Sequence, residues 1–228
     1  MAPPIVIAID GPSASGKSTV ARKTAERLGY LHVDSGALYR AVTWQALRQE
    51  LDPTDAPRIA AAAARLHPDF VLDGRSILVR FDGLDQADLR SPAVREHVSS
   101  IAANPAVRAR INEWLRGLTR FGNLVMEGRD IGSVVFPAAR RKFFLDASAE
   151  ERARRRWTEL QAARESVALG EIRQSLDHRD EHDRRRQDAP LAVAPGAEVI
   201  DTTALTVDQV VDRIVEQVTG PQDHVGKT

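Results

Sequence analysis

Apolar and polar positions along this chain form blocks that indicate buried strands separated by helices. Five short apolar runs have the length and composition of buried strands, at 4–9, 30–33, 123–126, 141–145 and 198–200. Because helical patterns separate or follow these runs, we expect a mostly parallel sheet with helices on both faces. The clearest helix is the last one, whose apolar stripe comprises Val207, Val210, Val211, Ile214, Val215 and Val218.

The first predicted strand leads into a segment that matches the phosphate-binding pattern G-x-x-x-x-G-K-[ST]. The segment consists of Gly11, Pro12, Ser13, Ala14, Ser15, Gly16, Lys17 and Ser18, followed by Thr19 and an amphipathic helix that stops at Gly29. Backbone N–H groups of such a loop point at phosphate oxygens, the helix N-terminus and Lys17 add positive charge, and the Ser18 hydroxyl can bind magnesium. The strand–loop–helix order therefore predicts binding of a nucleoside triphosphate.

The region 52–120 interrupts the alternation of strands and helices. A predicted helix over 56–66 precedes two apolar runs joined by Asp73-Gly74, which indicates a β-hairpin. Two further helices have start signals at Ser91-Pro92 and Asn104-Pro105. We interpret this region as an insertion carried on a nucleotide-binding core.

A second unusual segment, 150–186, is highly charged and helical, with a predicted break at Ser166–Gly170. Charged helices are usually solvated faces, but one that spans a phosphate site would be a lid. The adjacent arginines at 154–156 repel each other unless an anionic group lies between them. The tail from Gly220 shows no pattern, and we expect it to be disordered.

Composition narrows the class of protein. The chain has 228 residues, no cysteine and 43% hydrophobic residues, which fits one or two globular domains and excludes disulfides and thiolate metal sites. No apolar run approaches the roughly 20 residues of a membrane span. The first predicted strand begins too early to leave room for a signal peptide. We therefore expect a cytoplasmic enzyme with no membrane partner.

Charge argues against nucleic acid as a partner. The net charge is zero, although 28 arginines face only 4 lysines, and a balanced charge is untypical of proteins held to nucleic acid by phosphate attraction. A GC-rich genome explains most of these arginines. Those clustered beside motifs suit phosphate groups, because the planar guanidinium donates two parallel hydrogen bonds.

Two short segments place polar residues directly after predicted strands, where a doubly wound sheet binds its ligands. Ser35 and Arg40 follow the second strand and either face a second anion or serve as a helix cap and a surface arginine. Arg129 and Asp130 follow the third strand and fit either a binding site or a structural ion pair.

A spacing of i, i+4 and i+7 puts Arg179, Asp183 and Arg186 on one face of a predicted helix. None of these segments contains an obvious nucleophile or dedicated base. An acceptor that is already a phosphate is ionised at neutral pH, so no proton has to be removed from it. Magnesium, one lysine and several arginines can then bring two polyanions together in line. The pattern favours phosphoryl transfer between two phosphates.

In order along the chain, these motifs resemble those of the bacterial cytidylate kinase family, within the nucleoside-monophosphate kinases. The resemblance covers 5–218 and is carried by GPSASGKST, DSGALYR, VSSIAANPAVR, EGRDIGSVVFP, RARRR and RDEHDRRRQDAPL. It implies an α/β fold with a P-loop NTPase-type core, a five-stranded parallel sheet, a monophosphate-binding insertion and a short lid. It also implies transfer of the γ-phosphoryl group of ATP to CMP or dCMP, with Mg²⁺ as cofactor.

The resemblance divides the chain into a core, an acceptor-binding region, a lid and a tail. We expect them at 1–33, 121–150 and 187–219 (core), 34–120 with a hairpin-containing insert at about 60–100 (monophosphate-binding region), 151–186 (lid and following helix) and 220–228 (tail). The expected partners are ATP and CMP or dCMP, and the expected state is a monomer.

The resemblance also implies roles for single residues. The family's monophosphate-site positions correspond to Ser35, Arg40, Ser99, Arg108, Arg129, Asp130, Arg179, Asp183 and Arg186. The expected catalytic residues are Lys17 and Arg129 with arginines of the lid, where four arginines compete and we favour Arg152, Arg155 and Arg156 without ranking them. Ser18 is the expected metal ligand. From pattern alone, Ser99 and Arg108 would be a helix cap and a surface arginine.

Asp130 is the candidate for reading the base. Cytosine presents an amino donor at the position where uracil presents a carbonyl acceptor, and an ionised carboxylate accepts from the first and repels the second. Arg108 and Ser99 would donate to the other polar atoms of the base. The remaining expected contacts are a sugar hydroxyl for Asp183 and the acceptor phosphate for Arg40 and Arg129.

Two other functions are compatible with a phosphate loop. A kinase of another nucleoside monophosphate or a small hydroxylated metabolite is one, although a hydroxyl acceptor requires a positioned base. A GTPase-like switch is the other, but it requires a guanine-reading N-K-x-D segment, which the sequence lacks.

Overall fold

A seven-stranded sheet forms the centre of the computed structural model, which describes residues 3–162, 164–165, 167–186 and 188–220. The strands are β1 Val6–Asp10, β2 Leu31–Asp34, β3 Asp69–Asp73, β4 Ser76–Arg80, β5 Leu124–Gly128, β6 Arg141–Asp146 and β7 Glu198–Asp201, in the order β3-β4-β2-β5-β1-β6-β7. The five predicted apolar runs correspond to β1, β2, β5, β6 and β7, which pair in parallel as expected.

The prediction of five strands is wrong in number, because the predicted hairpin joins the same sheet. Strand β4 pairs in parallel with β2 at the bridge His32–Ser76, and β3 pairs antiparallel with β4 along its whole length. Gly74, with a φ of 55°, makes the hairpin turn at the predicted place. Strand β2 would otherwise present unpaired backbone groups at the edge of the sheet, which the hairpin partly covers.

The helices are α1 Lys17–Leu28, α2 Ser35–Arg48, α3 Ala56–Ala64, α4 Pro92–Ala102, α5 Pro105–Gly117, α6 Ala149–Ala162, α7 Leu169–Arg184 and α8 Val207–Thr219. The two predicted start signals are confirmed. Ser91 caps α4 by accepting from the Val94 N–H, and Asn104 caps α5 by accepting from the Ala106 N–H.

Two apolar clusters cover the two faces of the sheet. On one face, α1 and α8 pack on residues such as Ile7 and Ile9 of β1. On the other face, α2 to α5 pack on Ala8 of β1 and Met126 of β5, among others. Because both faces are covered by helices, a ligand has access to the sheet at the ends of its strands.

Helices α6 and α7 form the segment predicted as the lid and the helix that follows it, and they pack on each other through Ala153, Leu160, Ile172 and Leu176. The break between them begins earlier than predicted, since α6 ends at Ala162 and α7 begins at Leu169. Ser166 itself and 221–228 of the predicted tail lie outside the described residues. In the part of the chain that the structure describes, no helix has both the length and the apolar character needed to cross a membrane.

Candidate active site

Polar side chains gather where three neighbouring parallel strands end. Asp10 ends β1, Asp34 ends β2, and Glu127 lies one residue before the end of β5. The phosphate loop begins directly after Asp10, so these side chains surround it at the carboxyl edge of the sheet. This is the edge at which the sequence places the ligands.

The phosphate loop lies close against β6. A Cβ atom added to Gly11 would lie 2.1 Å from the carbonyl oxygen of Leu145, and the φ of Gly11 is 154°, so only glycine fits there. Ala14 adopts a left-handed conformation with a φ of 59°. Lys17 folds back over the loop, and its Nζ donates to the Pro12 carbonyl at 2.9 Å.

Lys17 is poised between its two protonation states. Burial, followed by the positive charge of Arg129, lowers the pKa of Lys17 to about 7. An anionic phosphate beside the amine would favour the charged form. Lys17 would therefore become fully charged when a phosphate group binds beside it.

Ser18 and Glu127 are the residues that fit a divalent cation. Ser18 is exposed in the first turn of α1, whereas the Glu127 carboxylate is buried and has a pKa that the nearby Ser18 hydroxyl acts to lower. Burial and the nearby Asp34 raise the pKa of Glu127, and its Oε1 has no hydrogen-bond partner among the described residues. Among the described residues, no group of three or more His, Cys, Asp or Glu side chains could hold a metal ion. Mg²⁺ bound to phosphates and water needs few protein ligands, so this pair fits it.

Arg129 connects the phosphate loop to α7, and its guanidinium uses separate nitrogens for the two contacts. Its Nη2 donates to the Ser13 hydroxyl at 2.8 Å, and its Nε donates to Asp183 at 3.0 Å. Asp183 also pairs with Arg186, and these two arginines keep the pKa of Asp183 low although burial acts in the opposite direction.

Arg179 completes a group of guanidinium groups on this side of the loop. Burial first, and then Arg129, lower the pKa of Arg179 to about 10, with Arg40 and Arg186 acting in the same direction. The structure thus brings Arg129, Arg179, Asp183 and Arg186 together, as predicted. It corrects one detail, because α7 ends at Arg184 and Arg186 lies beyond the helix whose face it was expected to share.

Arg108 and Asp130 form an ion pair, and both side chains are buried. Asp130 acts against the effect of burial and raises the pKa of Arg108. The guanidinium also donates to the Ala102 carbonyl at 3.1 Å and lies 5.4 Å from the centre of the Tyr39 ring. The interpretation of Arg108 as a surface arginine, which rests on sequence pattern, is wrong; the resemblance assigns Arg108 and Asp130 to one site, and the structure brings the two side chains together.

The remaining acceptor-site candidates lie on α2 and α4. Ser35 is buried at the start of α2, and its hydroxyl donates to the Glu127 carbonyl at 2.6 Å. Arg40 pairs with Asp34 at 2.5 Å, and this guanidinium helps to lower the pKa of Asp34 against the effect of burial. Ser99 is half-buried on α4, one turn before the carbonyl that binds Arg108.

The predicted lid arginines Arg152 and Arg155 both contact the phosphate loop. Arg152 is buried, and its Nη1 donates to the Ser13 carbonyl at 3.2 Å and to the Asp180 carboxylate. Arg155 donates to the Ser15 carbonyl at 3.2 Å from the other side of the loop. The first two turns of α6 therefore grip the loop through its carbonyl oxygens.

The repulsion predicted within the arginine run is relieved inside α6 itself. Glu151 accepts from Arg154 and Arg155 at 2.8 Å, and Glu159 pairs with Arg156 at 3.0 Å. No phosphate is needed to explain the run. Arg156 is the predicted lid residue for which the structure shows no contact with the phosphate loop, because its guanidinium pairs with Glu159 of the same helix.

Sequence reasoning gave no role to Asp10, Glu127 or Asp180. Asp10 accepts from the backbone N–H groups of Ile131 and Gly132, both at 2.8 Å, and so fixes the turn that follows Asp130. Burial raises the pKa of Asp10 to about 6, although these two hydrogen bonds act to lower it. One sequence signal could have identified Asp10 and Glu127, because each is a carboxylate at or next to the end of a buried apolar strand.

Comparisons with known proteins identify the family. The family model described as cytidylate kinase matches residues 7–220. The chain is 46% identical over 211 residues to the cytidylate kinase of Desulfitobacterium hafniense (strain Y51), covering 92% of this chain and 90% of that protein. It is 43% identical over 211 residues to the cytidylate kinase of Geobacter sulfurreducens (strain ATCC 51573 / DSM 12127 / PCA), covering 92% of this chain and 91% of that protein.

The fold is also found in a solved structure of low sequence similarity. An uncharacterized protein from Eubacterium ventriosum ATCC 27560 aligns with a TM-score of 0.55 at 12% identity, over 95% of this chain and 99% of that one. At this identity the likeness concerns the fold alone. The family match and the two relatives show that the chain belongs to the cytidylate kinase family.

Proposed function

We propose that this protein transfers the γ-phosphoryl group of ATP to CMP or dCMP, giving ADP and CDP or dCDP. The observation that carries the proposal is the position of Arg129, which contacts the phosphate loop at Ser13 and the acceptor-side helix at Asp183. A guanidinium placed in this way can neutralise charge on both partners while they approach. The names of the family and of the two relatives support the choice of acceptor.

The donor side uses the phosphate loop and the start of α1. Backbone N–H groups of the loop would hold the β- and γ-phosphates, and Lys17 would follow the negative charge that develops during transfer. Ser18 would hold Mg²⁺, with Glu127 orienting its bound water, and the bound ion would supply neutralisation of the phosphate oxygens.

The acceptor phosphate is expected among Arg40, Arg129 and Arg179. These groups lie close enough for Arg129 and Arg40 to contribute to the lowered pKa of Arg179, so an anion placed between them relieves mutual repulsion. A phosphate dianion has the charge and the oxygens for several guanidinium groups at once. No base is required, because the attacking oxygen of the acceptor is already ionised.

Cytosine would be read by the buried pair of Asp130 and Arg108, with Ser99 near its edge. The carboxylate accepts from the amino group of cytosine and repels the carbonyl of uracil, whereas the guanidinium donates to ring nitrogen or carbonyl oxygen. Asp183 would accept from a sugar hydroxyl.

Transfer then requires little covalent participation by the protein. An oxygen of the acceptor phosphate forms a bond to the γ-phosphorus, the bond from that phosphorus to the bridging oxygen breaks, and ADP leaves with the electron pair. Arginines of the lid, with the loop they grip, would hold the donor in line and exclude water. Arg152 and Arg155 are better placed for this than Arg156.

A coupled assay tests the function directly. ATP and Mg²⁺ are supplied with CMP, dCMP, UMP, AMP or a hydroxylated metabolite, and ADP formation is followed. We expect turnover with CMP and dCMP that exceeds turnover with the other acceptors. Preference for another monophosphate or a hydroxyl acceptor would replace the proposal with the corresponding kinase.

Two lysine variants link that activity to the phosphate loop. Lys17→Ala should lose turnover by a factor of about 10³ or more while the protein stays folded, because the charge beside the transferred group is removed. Lys23→Ala is the matched control, since Lys23 lies on the same helix but is exposed and paired with Asp208. Equal activity of the two variants would exclude the loop from the mechanism.

A further inference from the structure

Ser13 of the phosphate loop is held by three elements at once. Its N–H donates to the Asp180 carboxylate of α7 at 3.2 Å, and its carbonyl accepts from Arg152 of α6 at 3.2 Å. Its hydroxyl accepts from Arg129 at 2.8 Å. The N–H, the carbonyl and the hydroxyl of this residue therefore all attach the loop to its surroundings.

Asp180 is central to this arrangement. One carboxylate oxygen accepts from Ser13 and the other pairs with Arg152, and the three residues are buried, with Asp180 only 1% exposed. Asp180 also follows Arg179 directly and precedes Asp183 by less than one helical turn, so it belongs to the segment of α7 that carries the acceptor-side residues. It connects the donor loop, the lid and the acceptor side by direct contacts.

The loop needs such an external support at this point. Ala14, the next residue, has a φ of 59°, a left-handed conformation that costs a non-glycine residue stability and persists only when the surroundings hold it. Ala14 also packs against the apolar contact between α6 and α7. The strained turn is thus fixed by the two helices, through apolar packing at Ala14 and through the carboxylate at Ser13.

We propose that Asp180 is a positioning residue for phosphoryl transfer. By holding Ser13 and Arg152, it sets the phosphate loop and the lid at a fixed distance from the acceptor-binding face of α7. This inference rests on the proposed function. A displacement of about 1 Å between reacting groups can reduce a rate by about 10², so the carboxylate influences turnover without touching either substrate.

The test compares Asp180→Asn with the wild type at 25 °C. In asparagine an NH₂ donor replaces one of the two oxygens, so the hydrogen bonds from Ser13 and Arg152, which use separate oxygens, cannot both persist in this geometry. We expect kcat to fall 10- to 100-fold while the KM values for ATP and CMP change less than threefold. Asp177→Asn is the matched control, because Asp177 lies one turn earlier on the same helix, is half exposed and pairs only loosely with Arg173, at 3.9 Å. It should match the wild type.

A purely structural role predicts a different result. In that case the melting temperature of Asp180→Asn falls, but kcat per folded molecule at 25 °C stays within threefold of the wild type, and this outcome overturns the inference. If the wild type itself does not phosphorylate CMP, the proposed function fails instead, so the two failures are distinguishable.

Asp180→Asn leaves Arg152 without a charged partner in a buried place, which can prevent folding. Asp180→Glu then takes its place, because it keeps the charge opposite Arg152 and shifts the carboxylate oxygens by one methylene. We expect this variant to melt within a few degrees of the wild type and to have a kcat at least fivefold lower. A folded Asp180→Glu protein with a kcat within twofold of the wild type overturns the inference.

Discussion

Arg108 and Asp130 pair with each other inside the protein, where each side chain is only 5% exposed. A carboxylate and a guanidinium in this position satisfy each other in the free protein and present both an acceptor and donors to a ligand. Burial of an ion pair is unfavourable unless further polar partners complete it. The edge of a cytosine offers such partners, because it carries a donor beside an acceptor.

The first prediction concerns the choice of base. Asp130→Asn should reduce the ratio of kcat/KM for CMP to kcat/KM for UMP by about tenfold or more, because an amide can donate to the uracil carbonyl that a carboxylate repels. The ratio is measured with the coupled assay at several concentrations of each acceptor. Asp212→Asn serves as the control, since Asp212 also pairs with an arginine, Arg27, but lies on the surface of α8. An unchanged ratio in Asp130→Asn would show that this carboxylate does not read the base.

The second prediction concerns protons taken up with ATP. The pKa of Lys17 is lowered to about 7 in the free protein, and the triphosphate should raise it by favouring the charged amine. At pH 8 we therefore expect uptake approaching one proton per bound nucleotide, and less uptake at pH 6. Titration calorimetry with a non-hydrolysable ATP analogue, in buffers of different ionisation enthalpy, measures the number. Lys17→Arg keeps a permanent charge and should show no uptake, so equal uptake in this variant would contradict the assignment to Lys17.

Much of the fold follows from local patterns in the sequence. Buried strands, the phosphate loop, the caps at Ser91 and Asn104 and the hairpin turn at Gly74 are each specified within a few residues, and the structure confirms them. Local pattern does not specify which sheet edge a hairpin joins. The predicted sheet therefore had five strands and the observed sheet has seven, although the sequence pattern indicated all seven strands.

The site was less predictable, because its contacts join distant parts of the chain. Ser13 and Asp180 are 167 residues apart, and Asp10 and Ile131 are 121 residues apart, so no spacing relates them. The expectation that the arginines at 154–156 need an external anion was avoidable. Glu151 lies three and four residues before Arg154 and Arg155, a spacing that predicts ion pairs along a helix and makes an external anion unnecessary.

The third prediction concerns stability and pH. Burial raises the pKa of Asp10 from 3.8 to about 6, so between these values the native protein holds a proton that the unfolded chain has released. Stability contributed by protonated Asp10 is therefore lost as pH rises through this window, by about 2 to 3 kcal/mol at about 1.4 kcal/mol per unit of pKa. We expect the difference in unfolding free energy between the wild type and Asp10→Asn to decline by this amount from pH 4 to pH 7, measured by urea denaturation. A difference that is flat or rises with pH would contradict it.

The fourth prediction concerns the contact between α4 and the segment that joins α6 to α7. Arg95 of α4 donates to both oxygens of Glu165, which lies between α6 and α7, at 2.9 and 2.7 Å. The two side chains are 27% and 37% exposed, and pairs of this exposure contribute at most about 1 kcal/mol. The pair connects α4 to the segment between α6 and α7, so Arg95→Gln and Glu165→Gln should each lower kcat/KM for CMP by two- to fivefold, and the double variant should be no worse than either. Additive losses would mean that the two residues act separately.

Arg173→Gln is a suitable control, because Arg173 pairs with Glu150 and Asp177 within the lid segment and makes no such contact with α4.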